Sequence, residues 1–469
     1  MIEKNLLKYR LPAILLKSRG FITTLQLISL ILFLTAVIRG FIYPTMGENR
    51  FTTGLFWGLF WPLFIFLTTP VLGKVICMVC PHRLLIFRLA APFSLKKKPP
   101  KWMRGGYLSL AAVMLLYWLP VYTWPGLFHN PFNTALYFTI FTLMALAITL
   151  LFRPSTWCSG LCPIAVPTNL VSRTAFMGLR TDKQKCDDCK IATCVVGREN
   201  FDGCPHGINP SLMVDNSDCT LCMRCIKACS FDAVTFGFIR PLSEFTKKRL
   251  KADMPEALGV VLLLGALTFT MLFYNGFYKG MMKEGFPLYP AAIKLESWMG
   301  GVTSGDGYVG LLTFILSLSI SFAWFGVFSF TSAALANSST KKAFSIMAWS
   351  AIPVFALSSL AQMSEFFFFR YYPMIADGFL DLLGFATGTA PIVSSHAPWL
   401  LLFKIISIGG GLWSLVFTWQ LSGRLSDKTA ARAGISFPFW FLHIMIMSAF
   451  AGQVIFMLFL GMPGVTGPR

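Results

Sequence analysis

The chain has 469 residues, of which 55% are hydrophobic, 15% aromatic and only 13% charged, about half the charged share of an average soluble domain. Its mean hydropathy of +0.65 excludes an ordinary soluble protein. The formal net charge of +20 raises nucleic acid as a partner, a reading that the placement of the charges removes.

In chain order, nine runs are expected as spanning helices, near residues 22–43, 52–71, 106–124, 133–152, 256–276, 307–331, 343–368, 398–420 and 436–462. Each approaches the roughly 20 apolar residues that cross a bilayer. The first run follows Lys4, Lys8, Arg10, Lys17 and Arg19, has no small-residue cleavage site behind it, and is expected to stay as an anchor. With the N-terminus inside, 32 of the forty Lys and Arg residues fall on inner segments and seven on outer ones. This is the positive-inside pattern. Basic loops beside anionic headgroups explain the charge, so the partner is membrane lipid and not nucleic acid. The expected location is a bacterial or archaeal cytoplasmic membrane, with the C-terminus outside.

Three blocks follow. Residues 1–153 form four spans in two hairpins, 154–254 are polar, cysteine-rich and expected on the cytoplasmic side, and 255–469 form five further spans. The expected fold class is therefore an α-helical polytopic membrane protein with an inserted cytoplasmic ferredoxin-like domain. The outer loop 369–397, with DGFLDLLGF, is weakly amphipathic and is expected to lie along the interface.

All twelve cysteines precede residue 230. The run Cys219-x2-Cys222-x2-Cys225-x3-Cys229 has the bacterial ferredoxin spacing, in which the fourth cysteine serves the other of two clusters. A looser set, Cys186-x2-Cys189-x4-Cys194 and then Cys204-Pro205, precedes it. Crossing the fourth ligands assigns one [4Fe–4S] cluster to Cys186, Cys189, Cys194 and Cys229, and a second to Cys219, Cys222, Cys225 and Cys204. Zinc sites use paired CxxC units instead, and cytoplasmic thiols stay reduced.

Four cysteines remain, in an internal repeat. The second span runs into Cys77-Met-Val-Cys80-Pro81 and the fourth into Cys158-Ser-Gly-Leu-Cys162-Pro163. Spacings of three and four put each pair on one helix face. Two related hairpins would bring the pairs together as a third iron–sulfur or metal centre. The alternatives are redox-active dithiols, a transient metal-handling site, or packed thiols beside prolines that stop helices.

Two CP-type pairs at helix ends followed by a two-cluster ferredoxin block resemble the NapH/NosR/CcoG (RdxA) group of polyferredoxin membrane proteins, over about residues 15–240. The resemblance implies electron transfer at the cytoplasmic membrane, between quinol or a soluble donor and a periplasmic reductase system. Some members instead support cofactor assembly or copper reduction. The sequence departs from the group in its first CP pair, which has two intervening residues rather than three. It also shows neither a NosR-type flavin domain nor a CcoG-type sandwich, and it carries five extra spans.

In the second half, Glu365 and Lys404 lie in or near spans, where charges are costly and point to function. They are expected to pair, or to line a quinone pocket or proton path, with snorkelling of Lys404 as the plainer reading. His396 and His443 sit at different depths and make a poor heme pair. His82, His129 and His206 are expected to be solvated. Gly409–Gly411 are expected to allow close helix packing.

The function expected from these features is a membrane iron–sulfur relay, an electron-transfer component of an oxidoreductase system. Its partners would be quinone, other redox subunits or a periplasmic metalloenzyme. Two other functions fit less of the sequence: a metal-reduction or cofactor-assembly factor, and a redox-gated transporter or sensor.

Overall fold

In the computed structural model the described residues are 4–18, 20–104, 106–120, 126–198, 201–213, 215–246, 253–272, 287–299, 305–394, 397–422, 424–425, 438, 440–442 and 444, and they are mostly helical. Among them, six helices are long and apolar enough to cross a membrane: α1 (Phe21–Ile42), α2 (Phe51–Leu72), α3 (Pro131–Leu151), α4 (Gly307–Ala336), α5 (Thr340–Leu382) and α6 (Leu402–Ser422). Their length and apolar composition suit a bilayer crossing. Two more of the nine expected runs are shorter apolar helices, Tyr107–Trp118 and Met254–Thr268. The ninth, 436–462, lies almost wholly outside the described residues.

Local signals set the helix ends. Asn130 caps α3, its Oδ1 accepting from the Asn133 amide at 3.0 Å, and Pro131 takes the first helical position. Gly73, at φ 77°, turns the chain sharply where α2 ends.

The chain divides into two compact units. One comprises Met1–Ser109, Phe128–Phe245 and Met374–Thr387, and the other Leu110–Leu127, Thr246–Pro373 and Gly388–Arg469.

The first unit joins the N-terminal helices and the cysteine-rich block. A three-stranded antiparallel sheet, ordered β1-β3-β2, is built from β1 (Lys4–Asn5), β2 (Met177–Thr181) and β3 (Val234–Phe238). Lys4 pairs with Phe238, and Met177 pairs with the same residue from the other side. A Cβ on Gly237 would stand 2.0 Å from the Lys4 carbonyl oxygen, so only glycine admits β1 this closely. Beneath the sheet Leu179, Leu221, Met223, Val234 and Phe236 form an apolar core with Ile22 of α1.

This unit also overturns the expectation for loop 369–397. Over Tyr372–Leu382 the chain is the last part of α5, and it docks instead of lying along an interface. Asp381 Oδ2 accepts from Arg39 Nη2 at 3.0 Å and from the amides of Arg50 and Phe51 at 3.1 and 3.2 Å. Asp377 pairs with Arg50 Nη1 at 2.7 Å. A Cβ on Gly54 would meet the Met374 carbonyl at 2.4 Å. The acidic face read as amphipathic is neutralised by two arginines more than 300 residues away in sequence.

In the second unit α5 and α6 pack closely. Ser358 and Ser407 hydroxyls are 2.6 Å apart, and the Val354 amide donates to Ser414 Oγ at 3.0 Å. Of the three glycines, Gly410 makes the close approach: its Cβ would meet Leu357 Cβ at 2.8 Å, whereas Gly409 has nothing within 4 Å. Lys404 Nζ lies 2.5 Å from Glu365 Oε2, with both side chains largely buried.

Candidate metal centres

Each CP motif has the same local shape. Cys77 lies on the short helix Val75–Val79, and Cys80 follows it with extended backbone at φ −58°, ψ 129°. Cys158 lies within Trp157–Leu161, and Cys162 follows at φ −63°, ψ 121°. A following proline disfavours the helical region for the residue before it. Pro81 also opens the next helix, Pro81–Leu84, so the proline turns the second cysteine as well as ending a helix.

The fold brings these four thiols together. Burial pushes the Cys80 thiol up to about 11, helped by the charge of Cys77. Burial pushes Cys158 up to about 12, with Cys80 and Cys77 adding to the rise. Cys162 lies well above the ordinary thiol range through burial and then through Cys158, Cys80 and Cys77. Every pair among the four is thus within electrostatic reach. All four are half-buried.

Two buried cations stand beside them, and neither was singled out from the sequence. Lys74 Nζ donates to Asn169 Oδ1 and to the Ser217 carbonyl. Burial lowers its pKa, while Cys77, Asp218, Cys219 and Asp215 act against that. Arg83 Nη1 donates to Thr220 Oγ1 at 2.6 Å, and its guanidinium lies 5.2 Å from the Phe87 ring centre. Both cations bracket the first CP motif in sequence, and both reach the Ser217–Thr220 segment around Cys219. A lysine or arginine three residues from a membrane-face cysteine was the available signal.

The other eight thiols fall into two neighbourhoods. Cys186 is raised by burial and then by Cys229 and Cys189. Cys194 is pushed up to about 11 by burial and then by Cys229, Cys186 and Cys189. Cys219 is pushed up to about 12 by burial and Cys222, with Cys204 adding. Cys225 feels Cys222, Cys219 and Cys204 after burial, and then Cys194 across the gap between the two sets. Cys229 thus neighbours Cys186 and Cys194, and Cys204 neighbours Cys219 and Cys225. An amide also serves the first set: Ala233 N donates to Cys229 Sγ at 3.3 Å.

The second set surrounds a small cavity of about 20 Å³ lined by Cys204, Cys219, Cys222 and Cys225 together with Leu179 and His206. On either side of Cys222, Leu221 and Met223 have φ of 49° and 58°, which side chains rarely adopt. Alternating left-handed residues turn successive amides toward one point, a concavity that suits anions and iron–sulfur centres. Spacing alone did not disclose this strain. Among the described residues, no three His, Cys, Asp or Glu side chains gather tightly enough to hold a single metal ion. Four thiols in each set supply the donor chemistry that an iron–sulfur cluster uses.

Two histidines depart from expectation. His82 is half-buried, with Nε2 3.0 Å from Thr142 Oγ1, and burial pulls its pKa to about 4. His206 lies 3.5 Å from Thr220 Oγ1 and edge-on to Phe87. Burial, then the charges of Arg83, Lys74 and Arg224, pull it to about 3. Both are packed neutral groups instead of solvated ones. His396 and His443 lie outside the described residues, and Glu365 and Lys404 pair in the second unit away from the cysteines.

No protein-family profile matches the chain, and no solved structure matches it. The chain is similar to two uncharacterized proteins of Methanocaldococcus jannaschii. It is 28% identical to MJ0750 over 191 residues, 37% of this chain and 76% of that protein. It is 26% identical to MJ0749 over 194 residues, 39% of this chain and 69% of that protein. It is also 31% identical to the ferredoxin-type protein NapH of Haemophilus influenzae over 98 residues, 20% of this chain and 34% of NapH. The partial similarity to a ferredoxin-type protein and the many cysteines are compatible with iron–sulfur clusters.

Proposed function

We propose that this membrane protein relays single electrons through iron–sulfur centres. Cys186, Cys189, Cys194 and Cys229 hold one [4Fe–4S] cluster, Cys219, Cys222, Cys225 and Cys204 hold a second, and Cys77, Cys80, Cys158 and Cys162 hold a third metal centre. When bound, the clusters supply one-electron storage at potentials set by charge, hydrogen bonding and solvent exposure. The observation that carries the reading is the meeting of the two CP pairs beside Lys74 and Arg83, which also reach the Cys219 loop.

The residues act as a frame. Lys74 and Arg83 supply fixed positive charge where thiolates and electrons accumulate. Thr220 and Asn169 orient those cations. Leu221 and Met223 turn backbone amides toward the second quartet. The cysteine-rich block then stands on the cytoplasmic side, as the positive-inside pattern expects. A bilayer core is about 30 Å thick, too far for one electron hop, so an outer acceptor needs quinone or a further redox subunit as intermediary. A periplasmic metalloenzyme is the proposed end of such a path.

The residual exposure of the half-buried CP thiols favours a second reading, a metal-handling or metal-reducing site that serves cofactor assembly. Redox titration of the purified protein with a quinol analogue separates the two. The relay predicts reduction of the clusters by quinol. Clusters that ignore quinol, together with a CP site that releases its metal to a chelator, favour assembly.

A further inference from the structure

A second feature lies on the outer side of Cys222. An open recess of about 380 Å³ is bordered by Arg83, Arg88, Arg198, Arg224 and Lys227, with Cys222 in its wall. Its volume is within the range of small-molecule sites. The one carboxylate in the lining is Asp202, which forms ion pairs with Arg88 Nη2 at 3.2 Å and Arg224 Nη1 at 3.6 Å. Arg83 spends Nη1 on Thr220, and its Nη2 is buried without a hydrogen-bond partner. Arg198 Nη2 donates only weakly, to the Lys227 carbonyl at 3.2 Å, and its guanidinium lies over Phe201.

Like charges held this close repel unless a counter-charge lies among them. Asp202 and a metal-bound Cys222 thiolate supply fewer negative charges than the five side chains supply positive ones. Planar guanidinium forks match phosphate oxygens two at a time. Ile22, Thr23 and Gln26 complete the wall, which puts the recess beside the first turns of α1, a helix long and apolar enough to cross a membrane.

We infer that this recess is a binding site for a phosphate-bearing molecule, held by Arg88, Arg198, Arg224 and Lys227 beside Cys222. The ligand chemistry is a phosphate or diphosphate group, supplied either by an anionic phospholipid headgroup or by a soluble phosphorylated compound. The site stands without the clusters, and its closeness to an electron carrier rests on the function proposed above.

The test is calorimetric titration of pyrophosphate into the full-length protein in phosphatidylcholine nanodiscs, with iron measured on the same sample. The expected result is one site per chain. It should be weakened at least tenfold by Arg88→Ser with Arg198→Ser, both exposed residues, and unchanged by Lys96→Ser with Lys98→Ser. In phosphatidylglycerol nanodiscs, loss of pyrophosphate binding assigns the site to a lipid headgroup, and retention assigns it to a soluble ligand. No saturable heat in phosphatidylcholine, or equal binding by the Arg88/Arg198 variant, overturns the proposal. Binding in a sample that lacks iron would overturn the clusters and leave the site.

Discussion

Arg83 Nη1 donates to Thr220 Oγ1 at 2.6 Å within the first unit, both residues being buried. Three residues before Arg83 stands Cys80 of the first CP pair, and directly before Thr220 stands Cys219 of the second ferredoxin-type quartet. One hydrogen bond therefore ties the membrane-face thiols to the cysteine-rich block, with a fixed cation at the junction.

That cation should set a reduction potential. A positive charge favours the more negative, reduced form of a neighbouring centre. Arg83→Met is expected to lower one cluster potential by about 50–100 mV, the size of a single charge at an effective dielectric of about 20. Arg83→Lys should restore most of it. Redox titration followed by electron paramagnetic resonance checks this, and unchanged potentials in Arg83→Met would remove Arg83 from the electrostatics of the site.

Acid should loosen the segment before Cys219. Burial alone would raise the Asp215 pKa. The Arg173 guanidinium at 3.0 Å and the Ser217 amide at 2.6 Å outweigh it, and the carboxyl is held below its ordinary range. The contribution of a lowered carboxyl is complete above its unfolded pKa of about 4 and is lost as pH falls through the folded value. Asp215→Asn should melt lower than the parent at pH 7, and the gap between the two should shrink as pH falls below about 4. Parallel curves at every pH would show that the charge of Asp215 contributes nothing.

The Glu365–Lys404 pair should behave as a buried ion pair does. Lys404→Met alone leaves a buried carboxylate and is expected to cost about 3–5 kcal/mol. The double variant Glu365→Gln, Lys404→Met should recover most of that loss. Denaturation in detergent measures the cycle. Equal losses in single and double variants would mean that the two charges do not compensate each other.

Docking of Tyr372–Leu382 rests on Asp381, which receives one guanidinium and two amide donors. Asp381→Ala should destabilise the protein by about 2–3 kcal/mol, the scale of a buried charged acceptor removed from its donors. Proteolysis near residue 383 should accelerate with it. A variant cleaved at the parental rate would show that this helix is held by apolar packing alone.

These contacts mark what a linear reading could and could not supply. Hydropathy carries the spanning runs because membrane crossing depends on length and composition. Cysteine spacing suggests the quartets because a short loop limits which thiols can reach one centre. The pairing of Arg39 with Asp381 has no such local signature, since nothing in either segment names its partner. The two-residue strand Lys4–Asn5 is too short to show a period, and its place is visible only through Gly237, which has no Cβ to block it. His82 and His206 look like loop residues until packing puts them beneath α3 and Phe87. Lys74 was counted as one of many inner-face cations, although it is 4% exposed. Burial is a property of the fold, and a positive-inside tally cannot separate a lysine in headgroups from one beside a thiol.

The most direct measurement is iron and acid-labile sulfide per chain in anaerobically purified protein, repeated on Cys77→Ala with Cys158→Ala. With a four-iron cluster at each quartet and at the CP site, the parent should hold about twelve irons and the double variant about eight, with the ferredoxin-type resonances retained. About eight irons in both proteins would contradict a third cluster at the CP site, and fewer than about four in the parent would contradict the electron relay itself.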